Sequence, residues 1–128
     1  MSSTVLDASA LLALLKRETG HEHVATLLKR GALMSTVNLS EVIAKLDEAG
    51  VPGAAIRDTL DALRLELVPF DDEAAFIAGR LRTRTRHVGL SFGDRACLAL
   101  AELRSLPVLT ADRSWANLDV GITLQFIR

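Results

Sequence analysis

Apolar positions along the chain switch between two rhythms. Short apolar runs of three to six residues alternate with longer stretches in which apolar residues return every three or four positions. Thr4-Val5-Leu6 is apolar and partly β-branched, which predicts an opening strand. Ala8 to Glu18 is rich in helix formers, and its first half is apolar nearly all round, predicting a deeply buried helix. His21 to Arg30 carries Val24, Leu27 and Leu28 at helical spacing, and Gly31 stops it. Ala32 to Val37 predicts a second strand. Asn38 then opens a helix to about Glu48, with Val42, Ile43 and Leu46 on one face. Gly50-Val51-Pro52-Gly53 is a turn. Ile56, Leu60, Leu63 and Leu67 recur at i, i+4, i+7 and i+11, the pattern of a long amphipathic helix.

The second half repeats the alternation. Leu67 to Phe70 predicts a short strand that Pro69 places near a sheet edge. Asp71-Asp72-Glu73 begins a helix to about Thr85, and Arg86 to Leu90 is a loop. A helix over Phe92 to Arg104 precedes a strand over Pro107 to Thr110. Arg113 to Leu118 predicts a single helical turn, and Ile122 to Ile127 alternates into a terminal strand. Strands that alternate with helices imply an α/β fold with a mostly parallel sheet and helices on both faces. Ligands in such folds bind outside the carboxyl ends of the strands. At 128 residues without a linker or repeat, the expectation is one domain over 1–128.

Composition narrows the class. Hydrophobic residues make up 49% of the chain but aromatic residues only 4%, so the core must be aliphatic. No apolar run approaches the roughly 18 residues of a membrane span. Met-Ser-Ser-Thr lacks the basic start of a signal peptide, so a cytoplasmic protein is expected. The single Cys97, within Ala96-Cys97-Leu98-Ala99, reads as a buried helix residue. A net charge of −1 does not mark a nucleic-acid binder, yet Arg80, Arg82, Arg84, Arg86 and Arg95 fall within sixteen residues whose only acid is Asp94. Such a run is more often a solvated face, and it gains meaning only beside a catalytic site.

Four acids supply that site. Asp7 in VLDAS, Glu41 in NLSEV, Asp94 in SFGDRACLALA and Asp112 in VLTADRSW each stand where a helix should begin. Taken singly, each is explained as a cap. Asp7 and Asp112 are N-cap residues by position. Asn38 to Glu41 and Ser91 to Asp94 have the spacing of capping boxes. Taken together, parallel strands would gather these helix starts on one rim, where the carboxylates would repel one another unless a dication neutralised them. Hard oxygen ligands suit Mg²⁺ or Mn²⁺. There is no Cys/His zinc pattern, and His21 and His23 point to different sides of a helix. No Ser or Cys nucleophile with a positioned His is evident, which disfavours a covalent route.

The blocks VLDASALLALL, NLSEV, LSFGDRACLALA and LTADRSW, in this order and spanning nearly the whole chain, resemble the four blocks of PIN-domain ribonucleases, above all the VapC toxin type of type II toxin–antitoxin pairs. The resemblance implies a three-layer α/β/α sandwich and a Mg²⁺- or Mn²⁺-dependent endoribonuclease. It also implies a VapB-type antitoxin partner, whose C-terminal segment docks near the helices of 38–67, and a homodimer. It carries the ligand positions onto Asp7, Glu41, Asp94 and Asp112, with Asp7 and Asp94 central, and the supporting polar positions onto Ser9 and Thr110. Arg95, Arg113, Arg82, Arg84 and Arg86 are the candidates for holding the RNA backbone, with Phe92 and Trp115 as candidate base-stacking residues. Asn117 and Asp119 are read as turn residues. A receiver domain would need an acid pair after the first strand and a late Lys, and no Lys follows Lys45. A haloacid-type phosphatase would need an Asp at position 9, where Ser9 stands. The remaining rivals are a PIN-like module without activity and a stand-alone RNA-processing nuclease.

Overall fold

Five short strands pair in the order β3-β2-β1-β4-β5 in a computed structural model that describes residues 3–128. They are Thr4–Leu6 (β1), Ala32–Ser35 (β2), Glu66–Val68 (β3), Val108–Thr110 (β4) and Leu124–Phe126 (β5). All four pairings are parallel, and the inner strands β1, β2 and β4 are buried on both faces. That is why these segments read as unbroken apolar runs instead of alternating ones. β3 forms one edge, as Pro69 at its end predicted.

Six helices cover the sheet: Ala8–Leu15 (α1), His21–Arg30 (α2), Thr36–Glu48 (α3), Gly53–Leu63 (α4), Asp72–Arg84 (α5) and Phe92–Arg104 (α6). Successive strand residues point to opposite faces and so feed two cores. Leu6, Ala32, Met34 and Leu109 pack with the apolar sides of α1 to α4. Val5, Leu33 and Val108 pack with α5, α6 and Trp115. The result is the expected three-layer α/β/α sandwich. Among the described residues no helix is long and apolar enough to cross a membrane.

Several element ends depart from the sequence reading: β3 is Glu66–Val68 instead of 67–70, β5 is Leu124–Phe126 instead of 122–127, and three further ends have a visible cause. α1 stops at Leu15, short of Glu18, because Arg17 turns to φ 53° and Gly20 to φ 94°. A Cβ at Gly20 would collide with the Ile127 carbonyl, so the chain passes that point only as glycine. β2 ends at Ser35, not Val37, because the Ser35 hydroxyl caps α3 by accepting the Val37 N–H at 3.2 Å. α4 ends at Leu63, where Arg64 becomes left-handed, so Leu67 belongs to β3 and not to the helix whose spacing it continues.

The topology fixes where a ligand would bind. The chain lays β1, β2 and β3 in one direction, then α5 and α6 carry it back to place β4 on the other side of β1. β1 and β4 therefore diverge at a switch point, and the crevice beyond their carboxyl ends is the favoured site in such sheets. Asp7 follows β1 directly, and Thr110 ends β4.

Candidate active site

Asp7 is the centre of the site. It is 4% exposed and caps α1 by accepting the Ala10 N–H on Oδ1 at 2.9 Å. The Ser9 hydroxyl donates to the same oxygen at 2.7 Å, and the Thr110 hydroxyl donates to Oδ2 at 2.5 Å. Both hydroxyls are committed as donors to Asp7, so each accepts from the backbone beyond β4: Ser9 from the Ala111 N–H at 3.0 Å, Thr110 from the Asp112 N–H at 3.0 Å. Ser9 and Thr110 thus both contact Asp7 directly. A carboxylate offers about four lone-pair directions, and three of Asp7's are filled.

Burial pushes the Asp7 carboxyl up from 3.8 to about 6. The hydrogen bonds from Thr110, Ala10 and Ser9 act in the opposite direction, and the negative charge of Asp94 raises it further. Asp94 opens α6 as one half of a capping box: Ser91 Oγ accepts the Asp94 N–H at 3.1 Å, and Asp94 Oδ2 accepts the Ser91 N–H at 3.0 Å. Cys97, one turn further along α6 from Asp94, is fully buried. Its thiol is pushed well up by burial first, then by the charges of Asp7, Asp94 and Glu41. The charges of those three acids thus all reach Cys97.

Glu41 corrects one expectation. It does not reach back to the start of α3, because Ser35 begins that helix and Asn38 already lies inside it. Instead the Asn38 amide donates to Glu41 Oε1 at 2.8 Å and to the Gly93 carbonyl at 2.9 Å. Asn38 was read only as a helix opener; its spacing of three from Glu41, which puts both on one helix face, was the signal available. Asp112 caps the 3₁₀ turn Arg113–Asn117, and its Oδ1 accepts from Ser114 N at 2.9 Å and Ser114 Oγ at 2.7 Å. It is linked to Asp7 through the Thr110 hydroxyl, with its own carboxylate turned onto Ser114.

The basic residues divide. Arg82, Arg84 and Arg86 are exposed on the end of α5 and the loop that leads into α6. Arg113 is exposed and lies over the Phe126 ring at 4.6 Å. Arg95 is not available to a phosphate backbone: it is 9% exposed, and its Nη1 donates to the Ala78 carbonyl at 2.9 Å, tying α6 to α5. Phe92 is half-exposed with its ring edge-to-face on Phe70, whereas Trp115 is fully buried and serves as core.

Among the described residues no three His, Cys, Asp or Glu side chains converge tightly enough to hold an ion as they stand. The donor set still fits a hard dication in chemistry and charge. It is all oxygen. Among the described residues, none of the four acids is neutralised by a cation, since the ion pairs lie at Glu22, Glu48, Glu66 and Glu18. Capping fixes Asp7, Asp94 and Asp112 at helix starts, and Asn38 holds Glu41, without assembling the four.

Comparison with known proteins agrees with this geometry. The PIN domain family model matches residues 4–121. Ribonuclease VapC5 of Mycobacterium tuberculosis is 31% identical over 134 residues, covering 97% of this chain and 93% of the relative. Among solved structures, VapBC-5 from Mycobacterium tuberculosis superposes with a TM-score of 0.63 at 27% identity, covering 100% of this chain and 99% of that one. DNA-bound VapBC from Salmonella typhimurium, covering 100% of both chains, superposes with a TM-score of 0.78 at 20% identity, a likeness of fold. Ribonucleases of this family generally work with divalent metal ions. The all-parallel sheet, the acids at its carboxyl edge and the match along the chain lead to one assignment: the chain belongs to the PIN-domain family, on its VapC ribonuclease side.

Proposed function

We propose that this protein is the endoribonuclease toxin of a VapBC-type toxin–antitoxin pair, acting in the cytoplasm on RNA with Mg²⁺ or Mn²⁺. The observation that carries the reading is Asp7: a buried carboxylate, short of countercharge, at the β1/β4 switch point and within reach of the Asp94 charge. A bound dication would lower the pKa of a water and offset charge building on the phosphate. The chain's own part is to hold the ligand oxygens. Ser9 and Thr110 fix Asp7 and leave one direction on Oδ2 without a protein donor. The capping box presents Asp94 from the start of α6. Glu41 and Asp112, both more exposed, complete the ligand set or orient the attacking water. Arg82, Arg84, Arg86 and Arg113 draw in the RNA backbone by charge.

The antitoxin has a matching surface. Leu39, Ile43, Ile56, Leu60, Leu65 and Leu67 line a cleft of about 460 Å³ between α3 and α4 at the β3 edge. Its apolar lining suits an amphipathic segment. Homodimerisation completes the proposed assembly. The protein freed of antitoxin should cleave RNA with Mg²⁺ or Mn²⁺ and stop on adding EDTA, and Asp7→Asn or Asp94→Asn should abolish cleavage in a folded protein. Full activity in both variants would overturn the site assignment. A folded protein that leaves RNA intact under every metal condition would favour the reading of a PIN-like module without activity.

A further inference from the structure

Glu41 is gripped from two sides by groups to which no ligand role is assigned. Asn38 is 1% exposed, and both hydrogens of its amide are used: one toward Glu41 Oε1, the other toward the Gly93 carbonyl, 55 positions away in the chain. Its Oδ1 is buried without a partner. An amide kept only for packing would be served as well by an apolar side chain of the same shape, because an orphaned buried oxygen lowers stability. What the amide supplies is direction: it points the Glu41 carboxylate at the first turn of α6. Gly93 forms the opposite wall. A Cβ built there would overlap the Glu41 carboxylate, so the bare Cα is what lets the carboxylate lie against the helix, one residue from Asp94.

We propose that Asn38 and Gly93 form a seat for Glu41, with Asn38 a positioning residue that holds this carboxylate beside Asp94. The inference rests on the nuclease reading for what Glu41 does, and on the hydrogen bonds and the glycine contact for how it is held.

Three variants probe the seat. Asn38→Leu removes both donors at nearly constant volume and removes the orphaned oxygen. Asn38→Asp keeps the shape without the donors. Gly93→Ala places the better helix former in α6, so the helix is not weakened while Glu41 must move. Two quantities are read: Mn²⁺ binding to the substrate-free protein by electron paramagnetic resonance, and kcat and KM on an RNA oligonucleotide. Groups that orient metal ligands typically change metal affinity or activity by about 10- to 100-fold, and a loss of that order is expected in all three, in Mn²⁺ affinity and kcat, with KM for the RNA unchanged. In a Glu41→Ala background the same substitutions should add no further loss of Mn²⁺ binding, because the group they position is gone. If Gly93→Ala and Asn38→Leu bind Mn²⁺ and turn over like the parent while Glu41→Ala loses both, the seat is refuted and the nuclease reading stands. If Glu41→Ala itself leaves Mn²⁺ binding and cleavage untouched, Glu41 is no part of the site and the seat is refuted with it.

Discussion

Asp7 combines two roles that pull against each other. As a cap it satisfies the first turn of α1, and as a candidate ligand it must carry charge in a buried place. Its carboxyl is raised from 3.8 to about 6 by burial, so folding favours its protonated form. The stability that this supplies is fully present below pH 3.8 and is lost as pH rises through about 6. The gap corresponds to about 3 kcal/mol. Asn caps a helix as well as Asp, so metal-free Asp7→Asn should melt several degrees above the parent at pH 7.5. The difference should shrink toward pH 4 in a series of thermal melts, and adding Mn²⁺ should raise the parent's melting temperature alone. The residues themselves were largely legible. Local position marked Asp7 as a cap after a strand, the family resemblance pointed to Ser9 and Thr110, and the structure brings the three together. Arg95 was not legible, because its partner is the Ala78 carbonyl on another helix and nothing in GDRACLALA records that contact. Nor was the grip of Asn38 on Gly93, for the same reason.

At the level of elements, periodicity found every strand and helix, but their ends were set by single residues. Ser35 starts α3 three positions before Asn38, and Arg17 and Arg64 stop α1 and α4 by turning left-handed without being glycine. These are local backbone choices that apolar spacing does not encode. Where a cap was written plainly, it held: the Ser91–Asp94 box is formed in both directions. Ser91→Ala should cost about 1 kcal/mol by urea unfolding. Because the same box presents Asp94, the substitution should also slow RNA cleavage, which a change at an exposed helix interior position would not do.

For the whole molecule, a parallel α/β sandwich followed from the alternation of elements, whereas the strand order did not. Nothing in the spacing says that β4 returns past β2 to lie beside β1, yet that return sets Asp7 at the β1/β4 switch point. The apolar cleft between α3 and α4 opens elsewhere on the surface and gives a separable prediction. Ile43 is 37% exposed along that cleft. Ile43→Glu should leave cleavage intact but weaken antitoxin binding, measured by calorimetry, and a toxin so altered should remain active when mixed with antitoxin. The bond from Thr110 to Asp7 also has a consequence in time. It joins residues 103 positions apart, and a chain emerging from the ribosome makes Asp7 well before Thr110. Until β4 is made, Asp7 has no strand on that side and no hydroxyl on Oδ2, so the candidate site closes only once that strand is in place. An unfinished chain on the ribosome, surrounded by RNA, carries Asp7, Glu41 and Asp94 without the Thr110 hydroxyl that fixes the first of them.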